Sequence, residues 1–139
     1  MDPRELAATA NLELQGFLPA HLGIVFEEIG PERAVATMAV HSVLMATNGF
    51  LHAGAVTTLA DTVCATACQL GLPPEASNFT TIELKSNFVG SVREGVVTCE
   101  GIRMHGGRTT QVWDAVVTDQ ASGRRLGLFR ATQLILFAT

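Results

Sequence analysis

The segment LHAGAVTTLADTVCATACQL, from Leu51 to Leu70, decides how this chain folds. It is too long for an ordinary strand and fits a helix of about five turns at 3.6 residues per turn. Its side chains are small or apolar on every side, which is typical of a helix that the rest of the protein encloses. The sequence therefore predicts a central helix that begins near His52.

Asp61 is the only charged residue in this segment, and no Lys or Arg within it offers a partner. An isolated buried carboxylate costs several kcal/mol of desolvation free energy unless something compensates. Two interpretations stay open: hydrogen bonds from the surrounding protein satisfy Asp61, or its chemistry is used.

Strand-like patterns lie on both sides of the helix. Residues 3 to about 22 are predicted to form a helical lead-in that is interrupted near Pro19. Ile24–Ile29 and Arg33–Val40 then resemble two strands joined at Gly30-Pro31. Four further strands are predicted after the helix, at Phe79–Phe88, Val96–His105, Thr109–Thr118 and Leu126–Phe137.

The first strand after the helix has a period-two pattern. It places Ile82, Leu84 and Phe88 on one face, and Thr81, Glu83, Lys85 and Asn87 on the other. The last three strands are linked by short, turn-rich segments, which favour antiparallel pairing.

These elements predict an α+β fold, in which an antiparallel sheet of about five to six strands wraps around one long central helix. The length of 139 residues and the hydrophobic content of 47% suit a single domain, residues 1–139. Such a domain has an exposed sheet edge and a partly uncovered helix, so we expect a homodimer.

The overall composition narrows the functional classes. A net charge of −4 argues against general binding to nucleic acid or to an anionic membrane. The N-terminus lacks the layout of a signal peptide, and no apolar run is long enough to span a bilayer, so a cytoplasmic location is the default expectation. Cys64, Cys68 and Cys99 match no zinc or redox spacing and are predicted to be buried, reduced thiols.

Four sequence motifs resemble hotdog-fold acyl-CoA thioesterases of the PaaI-like (phenylacetate-degradation) group. They are NGFLHAGA at residues 48–55, LADT at 59–62, TTIELKSNF at 80–88 and HGGR at 105–108. The resemblance covers the chain from about residue 20 to the end. It implies a hotdog fold, thioester hydrolysis without a metal or redox cofactor, and active sites shared between two subunits.

Two positions depart from the family pattern. The family usually has His-Gly-Gly where this chain has His52-Ala53-Gly54, and many relatives carry Asn or Gln where Ala46 stands. Asn48 is the nearby polar alternative. The alanine at position 53 is compatible with the expected role, because the group that acts there is a backbone N–H.

The start of the helix is the predicted oxyanion site. Thioester hydrolysis develops negative charge on the carbonyl oxygen, and a helix N-terminus offers free N–H groups and a positive dipole end. The backbone amides of Ala53 and Gly54 are placed to donate there.

The spacing within the helix then predicts how the site assembles. Asp61 lies eight residues beyond Ala53, which is roughly 12 Å along the axis at 1.5 Å per residue. Both groups must come within about 3 Å of one reacting thioester. The simplest solution is a two-fold dimer with antiparallel helices, in which Asp61 of one subunit faces Ala53 and Gly54 of the other.

Further roles follow from the residue types and the resemblance. Asp61 is either a general base that activates water or a nucleophile that forms an acyl anhydride. The resemblance implies that the Thr81 hydroxyl orients the water or the carboxylate, and His52 is expected to shape the loop rather than transfer protons. The candidates for the substrate and coenzyme A are Phe50, Asn87, His105, Gly107 and Arg108.

The leading functional hypothesis is an acyl-CoA thioesterase acting on aromatic or short- to medium-chain substrates, as a dimer or a dimer of dimers. An acyl-thioester hydratase or dehydratase is less favoured, because it needs a His paired with the carboxylate. A non-catalytic acyl-CoA sensor is also less favoured, because the first 20 residues are too few and insufficiently basic for a DNA-binding segment.

Overall fold

The computed structural model describes all residues from Met1 to Thr139. Three α-helices are present: α1 (Pro3–Glu13), α2 (Leu18–His21) and α3 (Ala53–Leu70). Six strands are present: β1 (Ile24–Ile29), β2 (Arg33–Ala39), β3 (Ala76–Phe88), β4 (Val96–Gly106), β5 (Thr110–Asp119) and β6 (Arg125–Phe137). No helix combines the length and the hydropathy that crossing a membrane requires.

All six strands form one antiparallel sheet in the order β1-β2-β4-β5-β6-β3. Helix α3 lies across this sheet and contacts every strand from β2 to β6. The predicted α+β class, the antiparallel sheet and the long central helix are therefore confirmed.

Gly101 allows α3 to approach the sheet closely, and Gly127 leaves space for a ring of its own strand. A Cβ atom on Gly101 of β4 would lie 2.8 Å from Val63 Cγ1, closer than a normal carbon contact. A Cβ atom on Gly127 of β6 would lie 2.6 Å from the Phe129 ring and 3.5 Å from Val56 Cγ1. The missing side chain of Gly101 thus creates the space into which Val63 packs, whereas that of Gly127 makes room for the Phe129 ring.

The prediction that the helix is enclosed on every side is wrong for a single chain. The sheet buries one side of α3, including Leu59 and Val63. A stripe at helical spacing stays open or half-buried, and it consists of Gly54, Thr58, Asp61 and Ala65. The chain covers this stripe only in part: Thr81 of β3 reaches Asp61, and the loop residues Val43 to Met45 border Gly54 and Thr58.

The two edges of the sheet differ. The β1 edge is covered by α1, whose Asn11 side chain accepts a hydrogen bond from Phe26 N at 2.8 Å and donates to Phe26 O at 3.0 Å. The lead-in is interrupted between α1 and α2, where Gly16 has φ +86°, which is near Pro19 as expected. Proline fits the first turn of α2 because no intrahelical N–H is needed there. The β3 edge of the sheet, unlike the β1 edge, is not covered by α1.

The prediction for β3 is wrong at Thr81 and Ile82, because the strand contains a β-bulge there, whereas Glu83, Lys85 and Asn87 lie on the exposed face opposite Leu84 as predicted. Thr81 pairs with Gln133 and Glu83 pairs with Thr132, so Ile82 has no partner on β6. The extra residue reverses the alternation of the strand. Thr81 therefore points towards α3, whereas the Ile82 side chain is 56% exposed.

We expect Gly101→Ala to lower the free energy of unfolding by about 1–3 kcal/mol, because the new methyl group overlaps Val63 and the backbone cannot yield freely. Urea denaturation followed by circular dichroism measures the change. Gly30→Ala is the matched control, since its Cβ atom meets nothing closer than 3.6 Å. Equal stability of the two variants would contradict the close helix–sheet contact.

Candidate active site

His52 caps the N-terminus of α3. Its backbone is extended, with φ −65° and ψ 133°, and its Nδ1 atom accepts a hydrogen bond from Gly54 N at 2.7 Å. A ring nitrogen that accepts a hydrogen bond carries no proton, so this contact places the proton of the neutral ring on Nε2. In this structure the His52 side chain therefore acts as the N-cap of α3.

The cap changes which backbone amide is available for an oxyanion. The Gly54 N–H is already engaged by His52, which corrects the expectation that Ala53 and Gly54 are both free donors. The Ala53 N–H makes no hydrogen bond within the chain, and Ala53 is exposed. One free donor, on an exposed residue, therefore lies at the positive end of the helix dipole.

The loop before the helix is organised by its own backbone. Asn48 is exposed, and its Oδ1 atom accepts a hydrogen bond from Phe50 N at 3.2 Å. Gly49 adopts φ +87°, and the guanidinium of Arg93 lies 4.2 Å from the centre of the Phe50 ring. In this arrangement the Asn48 carbonyl oxygen supports the turn, while its amide nitrogen is free.

Asp61 lies in the middle of the open stripe of α3 and is half-buried. Burial raises the pKa of its carboxyl group above the ordinary value of 3.8, and the Thr81 hydroxyl opposes that shift as a hydrogen-bond donor. Thr81 Oγ1 lies 3.4 Å from Asp61 Oδ1. No Lys, Arg or His of the chain hydrogen-bonds or forms an ion pair with this carboxylate.

Gln133 is a member of the site that sequence reasoning missed. It is fully buried on β6, and its Oε1 atom lies 2.7 Å from Thr81 Oγ1. The inward-facing positions of β6 are Phe129, Ala131, Gln133 and Ile135, so a period-two count places one amide among apolar side chains. That exception was the available signal, because a buried polar side chain needs partners.

Asp61 and the free amide of Ala53 do not meet within one chain. They belong to the same straight element and are separated by eight residues, or roughly 12 Å along the axis. Thr81 and Gln133 gather around Asp61, whereas Asn48, Phe50, His52 and Gly54 gather at the helix start. The predicted catalytic residues thus form two separate half-sites.

The candidates for binding coenzyme A also fall into separate places. His105, Gly107 and Arg108 form the β4–β5 hairpin, and Arg108 lies 4.9 Å from the centre of the Phe137 ring. This hairpin is near the C-terminal end of α3, where Gln111 Nε2 donates to Gly71 O at 3.2 Å. Asn87 instead lines a groove on the outer face of the sheet and is not close to the hairpin.

A small apolar cavity adjoins the start of α3. Its volume is about 120 Å³. The side chains that line it include those of Leu51, Ala53, Val56, Phe88 and Leu126. The cavity therefore lies between Ala53, the first residue of α3, and the C-terminal end of β3.

The cysteines take no part in either half-site. All three are free and buried, as the sequence predicted. Burial is the main cause that raises the pKa of Cys64 to about 12 and that of Cys68 to about 11, so both thiols are neutral at physiological pH. They pack as apolar groups of the core.

Comparison with known proteins identifies the family. Residues 48–124 match the family model of the thioesterase superfamily, so the chain belongs to that superfamily. The chain is 34% identical over 122 residues to the 1,4-dihydroxy-2-naphthoyl-CoA hydrolase of Escherichia coli, covering 88% of each protein. The protein is thus a thioester hydrolase, and the prediction of an enzyme of this class is confirmed.

Solved structures agree with this membership. A mutant of thioesterase PA1618 from Pseudomonas aeruginosa superposes with a TM-score of 0.89 at 29% identity, covering 95% of this chain and 94% of that one. The E. coli PaaI protein from the phenylacetic acid degradation operon shares the fold, with a TM-score of 0.82 at 23% identity over 99% and 98% of the chains. The hotdog fold expected from the resemblance is confirmed.

We expect His52→Leu to lower the free energy of unfolding by about 1 kcal/mol, because the Gly54 N–H loses its capping acceptor. His52→Asn should restore most of that stability, since Asn is among the best N-cap residues. Urea denaturation of both variants measures the difference. Equal destabilisation by Leu and Asn would show that capping is not what His52 contributes.

Proposed function

We propose that this enzyme hydrolyses acyl-CoA thioesters through a site in which Asp61 of one subunit faces the Ala53 amide of another. Water adds to the thioester carbonyl carbon, the C–S bond breaks, and the products are a free acid and coenzyme A. The observation that carries the proposal is the half-buried, unpaired carboxylate on the open stripe of α3.

Asp61 is suited to act as a general base or as a nucleophile, and its environment supports both roles. Burial raises its pKa from the ordinary carboxyl value, which makes the carboxylate a stronger base than an exposed Asp. The Thr81 hydroxyl donates a hydrogen bond to one carboxylate oxygen of Asp61, and the other oxygen is available to water or the substrate. Thr81 thereby serves as the group that orients Asp61.

The Ala53 N–H is the proposed oxyanion donor. It is unpaired and exposed, and it belongs to the first residue of a helix of 18 residues. The tetrahedral intermediate places negative charge where this donor and the helix dipole both stabilise it. His52 supports the donor indirectly, because its cap holds the first turn in place.

The open β3 edge supports a two-fold dimer. Thr81 lies beside Asp61, and Phe88 lies beside the cavity at the helix start, so one strand borders both half-sites. Antiparallel pairing of β3 with β3 of a second copy brings the Thr81 end of one strand next to the Phe88 end of the other. Each dimer then holds two complete sites, and further pairing into a dimer of dimers is compatible with this arrangement.

The cavity at Ala53 supports a small acyl group. Its volume of about 120 Å³ compares with the roughly 150 Å³ of an apolar cavity that binds benzene. One aromatic ring or a short aliphatic chain matches that space. The exposed cations Arg93, near Phe50, and Arg108, at the β4–β5 hairpin, are the proposed partners for phosphates of coenzyme A.

We expect Asp61→Asn to lower kcat by at least about 10²-fold in a thiol-release assay over aromatic and aliphatic acyl-CoAs, because Asn is neither a base nor a nucleophile. The same variant should be more stable near neutral pH. The folded state binds the Asp61 proton more tightly than the unfolded state, so ionisation destabilises the fold once the pH rises above 3.8.

The stability gain of Asp61→Asn should therefore grow as the pH rises above about 4 and level off once the pH exceeds the raised pKa of Asp61 in the folded state. Asp114→Asn is the control, because this carboxylate is paired with Arg130 at 2.6 Å outside both half-sites. Undiminished turnover by Asp61→Asn would overturn the proposed function.

We expect Ala53→Pro to remove the oxyanion donor without breaking α3. Proline is favoured at the first helical position, and the ψ of 133° at His52 suits a residue that precedes proline. The helix should stay intact by circular dichroism, while kcat falls by about 10²–10³-fold.

Mixed dimers of Ala53→Pro and Asp61→Asn test whether the site is shared. Each mixed dimer contains one intact site and one site with both defects, so about half of the wild-type activity should return, although both homodimers are inactive. Differently tagged subunits, co-expressed and purified in two affinity steps, supply the sample. No recovery would show that Asp61 and Ala53 act within one chain or not at all.

A further inference from the structure

Three side chains form a polar row between the sheet and α3. Gln133 on β6 is paired in register with Thr81 on β3, and the Thr81 hydroxyl lies between Gln133 and Asp61. The two contacts of Thr81 Oγ1 are unequal: 2.7 Å to Gln133 Oε1 and 3.4 Å to Asp61 Oδ1. The hydroxyl has one proton, so it donates to one of these two acceptors at a time.

The Gln133 amide has an unmet hydrogen-bonding need. The residue is 0% exposed, and its buried Nε2 atom has no hydrogen-bond partner. An unpaired buried donor costs about 1–3 kcal/mol. Rotation of the amide by 180° exchanges the nitrogen and the oxygen, so that Nε2 faces Thr81 Oγ1 and gains an acceptor. A buried carbonyl oxygen without a partner is the more tolerable of the two defects.

The orientation of the amide matches the protonation state of Asp61. With Oε1 towards Thr81, the hydroxyl donates to Gln133, and a protonated Asp61 completes the row by donating to Thr81. With Nε2 towards Thr81, the hydroxyl oxygen accepts a hydrogen bond from the Gln133 amide. The hydroxyl proton then points to an ionised Asp61. The second arrangement is the one that a base or nucleophile requires.

We propose that Gln133 is a positioning residue whose amide N–H donates to Thr81 Oγ1 and so directs the Thr81 proton to the Asp61 carboxylate. This proposal rests on the proposed function, in which the ionised form of Asp61 acts. The donation polarises the hydroxyl, which strengthens its bond to the carboxylate. It also fixes the direction of that bond, and thus the direction of the second carboxylate oxygen.

The other titratable group coupled to Asp61 stays neutral. Cys64 lies on the same helix, and burial, with a smaller contribution from Asp61, raises its pKa to about 12. From β3 and β6, the groups that face Asp61 are the hydroxyl of Thr81 and, behind it, the amide of Gln133. Glu83 and Lys85 follow the bulge and are exposed. A substitution at Gln133 is therefore expected to change the Asp61 titration only through Thr81.

The decisive experiment is Gln133→Met, which keeps the approximate size and removes both the donor and the acceptor. We expect the Asp61 titration to move to higher pH, because the Thr81 hydroxyl loses its polarising partner and stabilises the carboxylate less. The shift should be visible in a ¹³C NMR titration of labelled aspartate carboxyls in the substrate-free enzyme and in the acid limb of kcat/KM. We expect kcat at its plateau to fall several-fold.

The direction of the shift distinguishes the proposal from its opposite. If Gln133 competes with Asp61 for the Thr81 proton, Gln133→Met frees that proton and the titration moves to lower pH. If Gln133 only fills space, the titration does not move. Either result would overturn the proposal. The NMR titration needs no turnover, so its outcome is separate from that of Asp61→Asn, on which the proposed function itself depends.

Two further variants complete the test. Gln111→Met removes another fully buried amide, on the strand next to Gln133, whose partners are Gly71 O and Trp113 Nε1. It should cost stability without moving the Asp61 titration. Thr81→Val should raise the Asp61 pKa, and adding Gln133→Met to Thr81→Val should change it no further. An additional shift in the double variant would show that Gln133 does not act through Thr81.

Discussion

The close approach of α3 to the sheet is the constraint on which the rest of this structure depends. Gly101 has no side chain at the point where Val63 packs against β4. The sheet buries this side of the helix, and the stripe on the opposite side consists of small and polar residues. Asp61 belongs to that stripe, so its partial burial follows from how the helix is seated rather than from a pocket built around it.

This seating explains how the chain tolerates an unpaired acid. A carboxylate deep between the helix and the sheet would face a large desolvation cost, whereas on the open stripe it stays half-buried and its pKa rises without a counter-charge. The structure supplies one hydroxyl, that of Thr81, and places a neutral amide behind it. The acid is thus held by neutral groups, which leaves its charge available.

Much of the fold could be predicted from the sequence, because its signals are long and periodic. The bounds of β1 agree with the prediction residue for residue, and α3 begins one residue after His52. The orientations of Thr81 and Ile82 on β3 could not be predicted, since a bulge at Ile82 adds one residue without altering the local composition. The half-site at the helix start was visible in the motif, but the engagement of Gly54 by His52 depends on a side-chain rotamer that no sequence pattern specifies.

The bulge at Ile82 has a chemical consequence that links the fold to the proposed site. Without the extra residue, the alternation set by Leu84 and Ser86, which face the helix side, would turn Thr81 outwards. With it, Phe79 and Thr81 face α3 as well, and the hydroxyl reaches Asp61. A local irregularity in the edge strand therefore brings the only hydroxyl contact to the carboxylate.

The departures at Ala46 and Ala53 concentrate the proposed chemistry on the backbone. The Ala46 side chain offers no hydrogen bond, the Gly54 N–H is taken by the cap, and the Asn48 oxygen supports its own turn. The donors that remain for a thioester carbonyl at the helix start are the Ala53 N–H and the helix dipole, with the Asn48 amide nitrogen nearby. A backbone donor is independent of the side chain at its position, so alanine in place of the family's usual glycine is compatible with the proposed oxyanion site.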